Sequence, residues 1–284
     1  MTDAVLQVEG LTKRFGGVLA SDGISLSVPR GELHAIIGPN GAGKTTLIGQ
    51  LAGEVAPDSG RIWFENLDIT RLPSWRRSKL GLARSFQITS LFSDFTVLDN
   101  VALAVQAHAG HSFQFWRKAR EETSLREPAR AVLARLGLLG RADVLVSKLS
   151  HGEHRQIEIA TALATGPRLL LLDEPMAGMG PDESARMVKT LRDLKGDLTI
   201  MLIEHDMEAV FALADRITVL VYGRIIASGT PQAISLVFSG ELRKRVAQPC
   251  PTRCIRRPVR LLRWQEGAVR SESSRQRSLA NLGS

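Results

Sequence analysis

An apolar run, Glu32-Leu-His-Ala-Ile-Ile37, passes directly into Gly38-Pro-Asn-Gly-Ala-Gly-Lys-Thr-Thr46. The run predicts a buried strand, and the segment after it a glycine-rich loop that opens into a helix near Lys44. Strand, loop and helix in that order turn a G-x-x-x-x-G-K-[ST] spacing into a cradle for phosphate. Gly38, Gly41 and Gly43 let the backbone aim its N–H groups inward, where a Cβ would block a polyphosphate. Pro39, Asn40, Ala42 and Thr46 complete the cradle. The new helix turns its positive dipole end and unpaired N–H groups toward the same anion. Lys44 is expected to reach the β- and γ-phosphates, and Thr45 to place its hydroxyl on Mg²⁺. Nucleotide binding is the expectation.

A second segment, Leu169-Leu-Leu-Leu-Asp-Glu174, reads as a buried parallel strand ending in two carboxylates. They emerge at the C-terminal edge of the sheet, where α/β folds bind their ligands. Asp173 is expected to hold the Mg²⁺ shell, and Glu174 to orient and deprotonate the attacking water. An ordinary strand end before a Pro175 turn is the plainer reading, and the phosphate loop weighs against it.

Short strands are predicted over residues 4–9, 24–28 and 61–65, the last after a Pro-Asp-Ser-Gly turn at 57–60. From about Thr96 to Gly166 the spacing is helical. Val97, Val101, Ala104 and Val105 share one face, and Ala129, Val132, Leu133 and Leu136 another. Strand and helix then alternate: 169–172 and 198–203 as strands, 182–195 and 207–214 as helices. A closing hairpin, 217–221 with 224–227, turns at Tyr222-Gly223. The expected architecture is an α/β core carrying an inserted helical subdomain at about 88–166.

The formal net charge is +8 over 284 residues, but residues 1–240 carry 26 basic and 26 acidic groups. Eleven basic and three acidic residues from Glu241 onward hold the whole excess. A basic body that would favour nucleic acid is therefore excluded, and no nucleic-acid partner is expected. No uncharged apolar run reaches the ~18 residues of a membrane span, and Met1-Thr-Asp-Ala lacks a basic leader, so a cytoplasmic chain is expected. Cys250 and Cys254 make neither a disulfide framework nor a metal site.

Leu149-Ser-His-Gly-Glu153, followed by the helical run His154–Ala160, names a family. Together with the phosphate loop and the carboxylate strand, it resembles the signature loop of the ATP-binding subunits of ATP-binding-cassette (ABC) transporters, usually Leu-Ser-Gly-Gly-Gln, with His151 and Glu153 as departures. The resemblance spans roughly residues 4–238. It implies a P-loop NTPase core of ABC type with an antiparallel β subdomain and an inserted α-helical subdomain. It also implies ATP and Mg²⁺ as cofactors and a head-to-tail dimer. In such a dimer Ser150, Gly152 and Glu153 complete the nucleotide site of a second ATPase subunit. A plain capping box, Ser150 with Glu153, is a compatible reading of the same residues. Three more residues match the family: Gln87, after the strand 82–86, for Mg²⁺ and water; His205 for the γ-phosphate; Phe15 for stacking on adenine. Gly180 stands where many relatives carry an aspartate at the dimer interface.

Ser85-Phe-Gln87, Leu91-Phe92, Thr96–Val101, His151-Gly-Glu153 and Ala177-Gly-Met-Gly180 look like the branch that imports branched-chain amino acids; urea and amide importers look alike. Integral membrane permease subunits and, indirectly, a periplasmic solute-binding protein are the implied partners, at the cytoplasmic face of the inner membrane. A soluble cassette acting on DNA or ribosomes is the rival, disfavoured by a single cassette with a short insertion. A regulatory cassette that only binds ATP is a second, opposed by Lys44, Asp173, Glu174 and His205. The tail, residues 241–284, is rich in Arg and interrupted by Pro249, Pro251 and Pro258. Disorder, adhesion to anionic lipid and nucleic-acid binding are its three readings.

Overall fold

The computed structural model of the protein describes residues 4–85, 91–109 and 123–240; Gln87 and the tail from residue 241 lie outside them. Among the described residues, ten strands form two sheets. The first hairpin pairs β1 (Ala4–Phe15) with β2 (Val18–Pro29), and β1 also pairs with β4 (Ser59–Phe64), which turns back into β5 (Leu67–Asp68). This antiparallel sheet has the order β2-β1-β4-β5. The strands β3 (Leu33–Ile37), β6 (Leu82–Arg84), β7 (Leu169–Asp173), β8 (Thr199–Ile203), β9 (Arg216–Val221) and β10 (Arg224–Gly229) form the second sheet. Its order is β10-β9-β3-β8-β7-β6, parallel except for the closing β9–β10 hairpin. Every residue of β3, β7 and β8 is buried, as strands covered on both faces require.

The first two strands are longer than the segments 4–9 and 24–28. Register shifts between Val8 and Leu11 mark a bulge, and pairing resumes beyond it with Leu11 opposite Ile24. A bulge breaks the two-residue alternation without ending the strand, so the pattern reads as an end. The strand expected at 61–65 begins at Ser59 and stops at Phe64, because Glu65 (φ 48°) and Asn66 (φ 66°) form the turn. Two consecutive left-handed residues are the turn that matches the twist of a two-residue hairpin.

Helix α1 (Lys44–Ala52) lies between the sheets. Leu47, Ile48 and Leu51 join Leu6, Val8, Ile24 and Phe64 of the antiparallel sheet and Leu169, Leu171, Met201 and Ile203 of the parallel sheet in one apolar cluster. After α2 (Ser74–Lys79), the helices α3 (Val97–Ala109), α4 (Thr123–Arg135) and α5 (His151–Leu163) fall between β6 and β7, where the helical pattern placed them. Val97, Val101 and Val105 are buried on α3, as are Ala129 and Leu133 on α4; Ala104 and Val132 are only half-buried. The helices α6 (Pro181–Leu194), α7 (Met207–Leu213) and α8 (Pro231–Gly240) complete the chain order. Residues to Leu236 form one compact unit. A second begins at Val237, and only its first four residues are described.

Arg77 of α2 is 2 % exposed. Its Nη1 donates to the carbonyls of Gln50 and Leu51 at 2.7 Å each, Nε to Leu72 O at 2.9 Å and Nη2 to Thr70 O at 3.0 Å. Burial lowers its pKa to about 10, with the charge of Asp68 opposing. The guanidinium thus closes the C-terminus of α1, whose last carbonyls have no helical partner. Arg77→Met removes the guanidinium from Leu51 O and leaves Gln50 O with only the 3.3 Å bond from Gly53 N, each lost bond to a buried carbonyl costing about 1–3 kcal/mol. The expected result is a fall in the urea midpoint equivalent to about 3 kcal/mol or more at unchanged slope.

Candidate active site

The phosphate loop is walled by backbone. A Cβ on Gly38 would lie 2.0 Å from Leu220 O of β9, and one on Gly43 would lie 2.1 Å from Ala20 O of β2. Gly43 also has φ 101°, a left-handed backbone that side chains rarely adopt. Across the loop, Gly223 N donates to Ala42 O at 2.8 Å and Asp22 N to Gly223 O at 2.9 Å. The hairpin turn Tyr222-Gly223 and the start of β2 therefore clamp the loop from two sides. Phe15 ends β1, opposite Val18, on the same hairpin that supplies Ala20. It is 50 % exposed, and Lys13 Nζ lies over its ring, 5.4 Å from the centroid.

Lys44 is buried, and its Nζ donates to Gly38 O at 2.8 Å and Pro39 O at 3.1 Å. Burial lowers its pKa, while the charges of Glu174 and Asp173 pull the other way. Thr45 is exposed and Thr46 half-buried at the mouth of the loop. Asp173, at the end of β7, is 3 % exposed. Its Oδ2 accepts from Arg84 Nη2 at 3.2 Å, and its Oδ1 has no partner among the described residues. Burial raises its pKa and Arg84 opposes the rise. Arg84 also pairs with Glu54.

Glu174 has φ 51°, an uncommon conformation for a residue with a side chain, and such strain concentrates at working sites. Its N–H donates to Ile203 O at 2.9 Å, which ties the end of β7 to the end of β8. Its Oε1 lies 2.7 Å from His205 Nε2, and both side chains are about one-third exposed. Lys44, Asp173, Glu174 and His205 thus converge at one edge of the parallel sheet.

Ser150 caps α5 as the capping-box reading expects. Its Oγ accepts from Glu153 N at 3.2 Å, and Ser150 N donates to Glu153 Oε2 at 2.9 Å. The helix starts at His151, three residues before the run beginning at His154. Ser150 Oγ also donates to Glu183 Oε1 of α6 at 3.1 Å, and a Cβ on Gly152 would meet the same carboxylate at 2.6 Å. Among the described residues no hydrogen bond joins this group to Lys44, Asp173 or Glu174. In the sequence Arg84 belongs to no motif, and Glu204 shows only as the carboxylate that ends the strand before His205.

This is the geometry of an ATP-binding cassette. Residues 21–177 match the sequence model of the family described as ABC transporter. The high-affinity branched-chain amino acid transport ATP-binding protein LivG of Salmonella typhimurium is 37 % identical over 243 residues, covering 82 % of this chain and 94 % of LivG. BraF of Pseudomonas aeruginosa, of the same description, is 37 % identical over 241 residues with the same coverage. Among solved structures, an ATP-binding cassette of an ABC transporter in its ADP conformation superposes with a TM-score of 0.76 at 32 % identity, covering 87 % of this chain and all of the other. The chain belongs to the ABC transporter ATPase family.

Gly43→Ala is expected to weaken nucleotide binding at least tenfold. The new Cβ cannot coexist with Ala20 O, so either β2 or the loop must shift. Titration with a fluorescent ATP analogue, alongside a denaturation curve, separates a damaged cradle from an unfolded chain.

Proposed function

We propose that this chain is the ATP-hydrolysing subunit of an importer for branched-chain amino acids. The observation that carries the catalytic part is the convergence of Lys44, Asp173, Glu174 and His205 beside the phosphate loop. The solute is taken from the names of LivG and BraF. In this reading the loop N–H groups and Lys44 hold the β- and γ-phosphates, and Phe15 stacks on adenine. Glu174 takes the proton of the attacking water while His205 keeps that carboxylate in place and contacts the γ-phosphate. A buried Asp173 oxygen with no partner among the described residues and the exposed Thr45 hydroxyl are the hard oxygen donors Mg²⁺ prefers, and Gln87 would join them. When bound, the ion would neutralise charge on the β- and γ-oxygens.

Residues 1–240 serve as the ATP-binding domain, with the helical insertion at about 88–166, and 241–284 as a separate basic tail. Two cassettes pair head to tail, so that Ser150, Gly152 and Glu153 of one face the nucleotide of the other. The permease subunits dock from the cytoplasmic face of the membrane, and a periplasmic solute-binding protein delivers the solute to them. A groove of about 750 Å³ supports the docking; Trp75, Leu82, Leu91 and Ala104 help to line it. Among the described residues no helix is long and apolar enough to cross a membrane.

Glu174→Gln should keep ATP affinity yet lose turnover by about 10²-fold or more, because an amide takes no proton. The ATP-bound dimer should then accumulate on a sizing column; hydrolysis at the wild-type rate removes Glu174 from the role of base. Ser150→Arg should abolish hydrolysis while the monomer still binds ATP. Mixing it with Lys44→Ala protein leaves one composite site intact, so partial activity should return. Uptake of radiolabelled leucine by cells carrying the chain with its permeases tests the solute.

A further inference from the structure

Glu204 comes directly after β8 and is 4 % exposed. Its Oε1 accepts from Met176 N at 2.9 Å, and its Oε2 accepts from His205 N at 3.0 Å. Among the described residues it forms no ion pair. Its charge rests on backbone N–H groups alone: burial raises its pKa, while those of Met176, His205 and Asp206 lower it. A buried carboxylate without a cation is costly, and a structural strand end has no need of one. The two oxygens reach two different segments. Met176 lies two residues after Glu174 on the loop from β7 to α6, and His205 lies on the loop from β8 to α7.

We propose that Glu204 is a positioning residue for hydrolysis, a carboxylate bridge that sets the separation of Glu174 and His205. This rests on the reading of Glu174 as base. The backbone of Glu174 is tied at its N–H to Ile203 O at 2.9 Å and at its carbonyl to Ala177 N at 3.1 Å, which closes a turn around Met176. The bond from Met176 N to Glu204 anchors that turn to the loop that carries His205. With both in place, the Glu174 carboxylate is held at 2.7 Å from His205 Nε2. An amide at position 204 has one acceptor oxygen, so it can keep one of the two loops and must turn an NH₂ toward the donor of the other.

Glu204→Gln is therefore expected to lower kcat about 10- to 100-fold with KM for ATP within twofold, since the phosphate loop is untouched. Fluorescent-ATP binding and the thermal midpoint are measured on the same preparation. If Glu204→Gln does not fold, Glu204→Asp, which keeps both acceptors on a shorter arm, replaces it. The decisive readout is a cycle with His205→Ala. If Glu204 acts through the Glu174–His205 pair, its substitution costs little once His205 is gone. Additive losses, or a loss confined to KM, overturn the proposal. Glu174→Gln runs in parallel: wild-type turnover there sinks the base assignment itself, whereas normal turnover in Glu204→Gln alone sinks only the bridge.

Discussion

Packing of α1 between two sheets fixes where the phosphate loop sits. Leu47, Ile48 and Leu51 are fully buried, and each contributes about 1.5–3 kcal/mol by leaving water. Their partners come from β1, β2 and β4 on one side and from β7 and β8 on the other. Because the same helix opens at Lys44, the apolar core and the phosphate cradle cannot be displaced independently. The glycines that permit close approach to Leu220 O and Ala20 O make the converse point: the loop is positioned by backbone contact, which tolerates no added atom.

The parallel sheet then brings the chemistry to that loop. Fully buried strands leave their polar residues nowhere to emerge except at the strand ends: β7 ends in Asp173, and Glu204 directly follows β8. Asp173 and Glu204 are buried; Glu174 and His205 are partly open. Each buried charge is answered differently. Arg84 sits on Asp173, carbonyls of the loop surround Lys44, and backbone N–H groups receive Glu204. Such arrangements are rigid, because a lost partner leaves a charge uncompensated in a low-dielectric setting.

Much of this was legible in the sequence because strong periodic signals sat next to motif residues. The apolar runs before Gly38 and Asp173, and the Ser150–Glu153 cap, are local patterns, and each formed where it was read. The misses arise where distant segments decide the outcome. The bulge in β1 hides half of a twelve-residue strand, since alternation slips at Glu9-Gly10 while pairing continues. Nothing local marks Arg77 for burial, and only the meeting of α2 with the end of α1 buries it. Glu183 lies 33 residues from Ser150, and nothing local announces that its carboxylate rests on that hydroxyl. Glu204 was in view merely as the last residue of a strand.

The two ends of α1 are treated unequally. The helix has no acidic residue in its first turn and no basic residue in its last, and no side chain caps it at Gly43. Arg77 supplies the missing positive charge at the C-terminus, permanently and from within the protein. At the other end the first N–H groups are left for a ligand to receive, so a bound polyphosphate acts as the helix's own cap. Nucleotide is then a component of the folded state, and the melting temperature of this chain becomes a gauge of the nucleotide concentration around it.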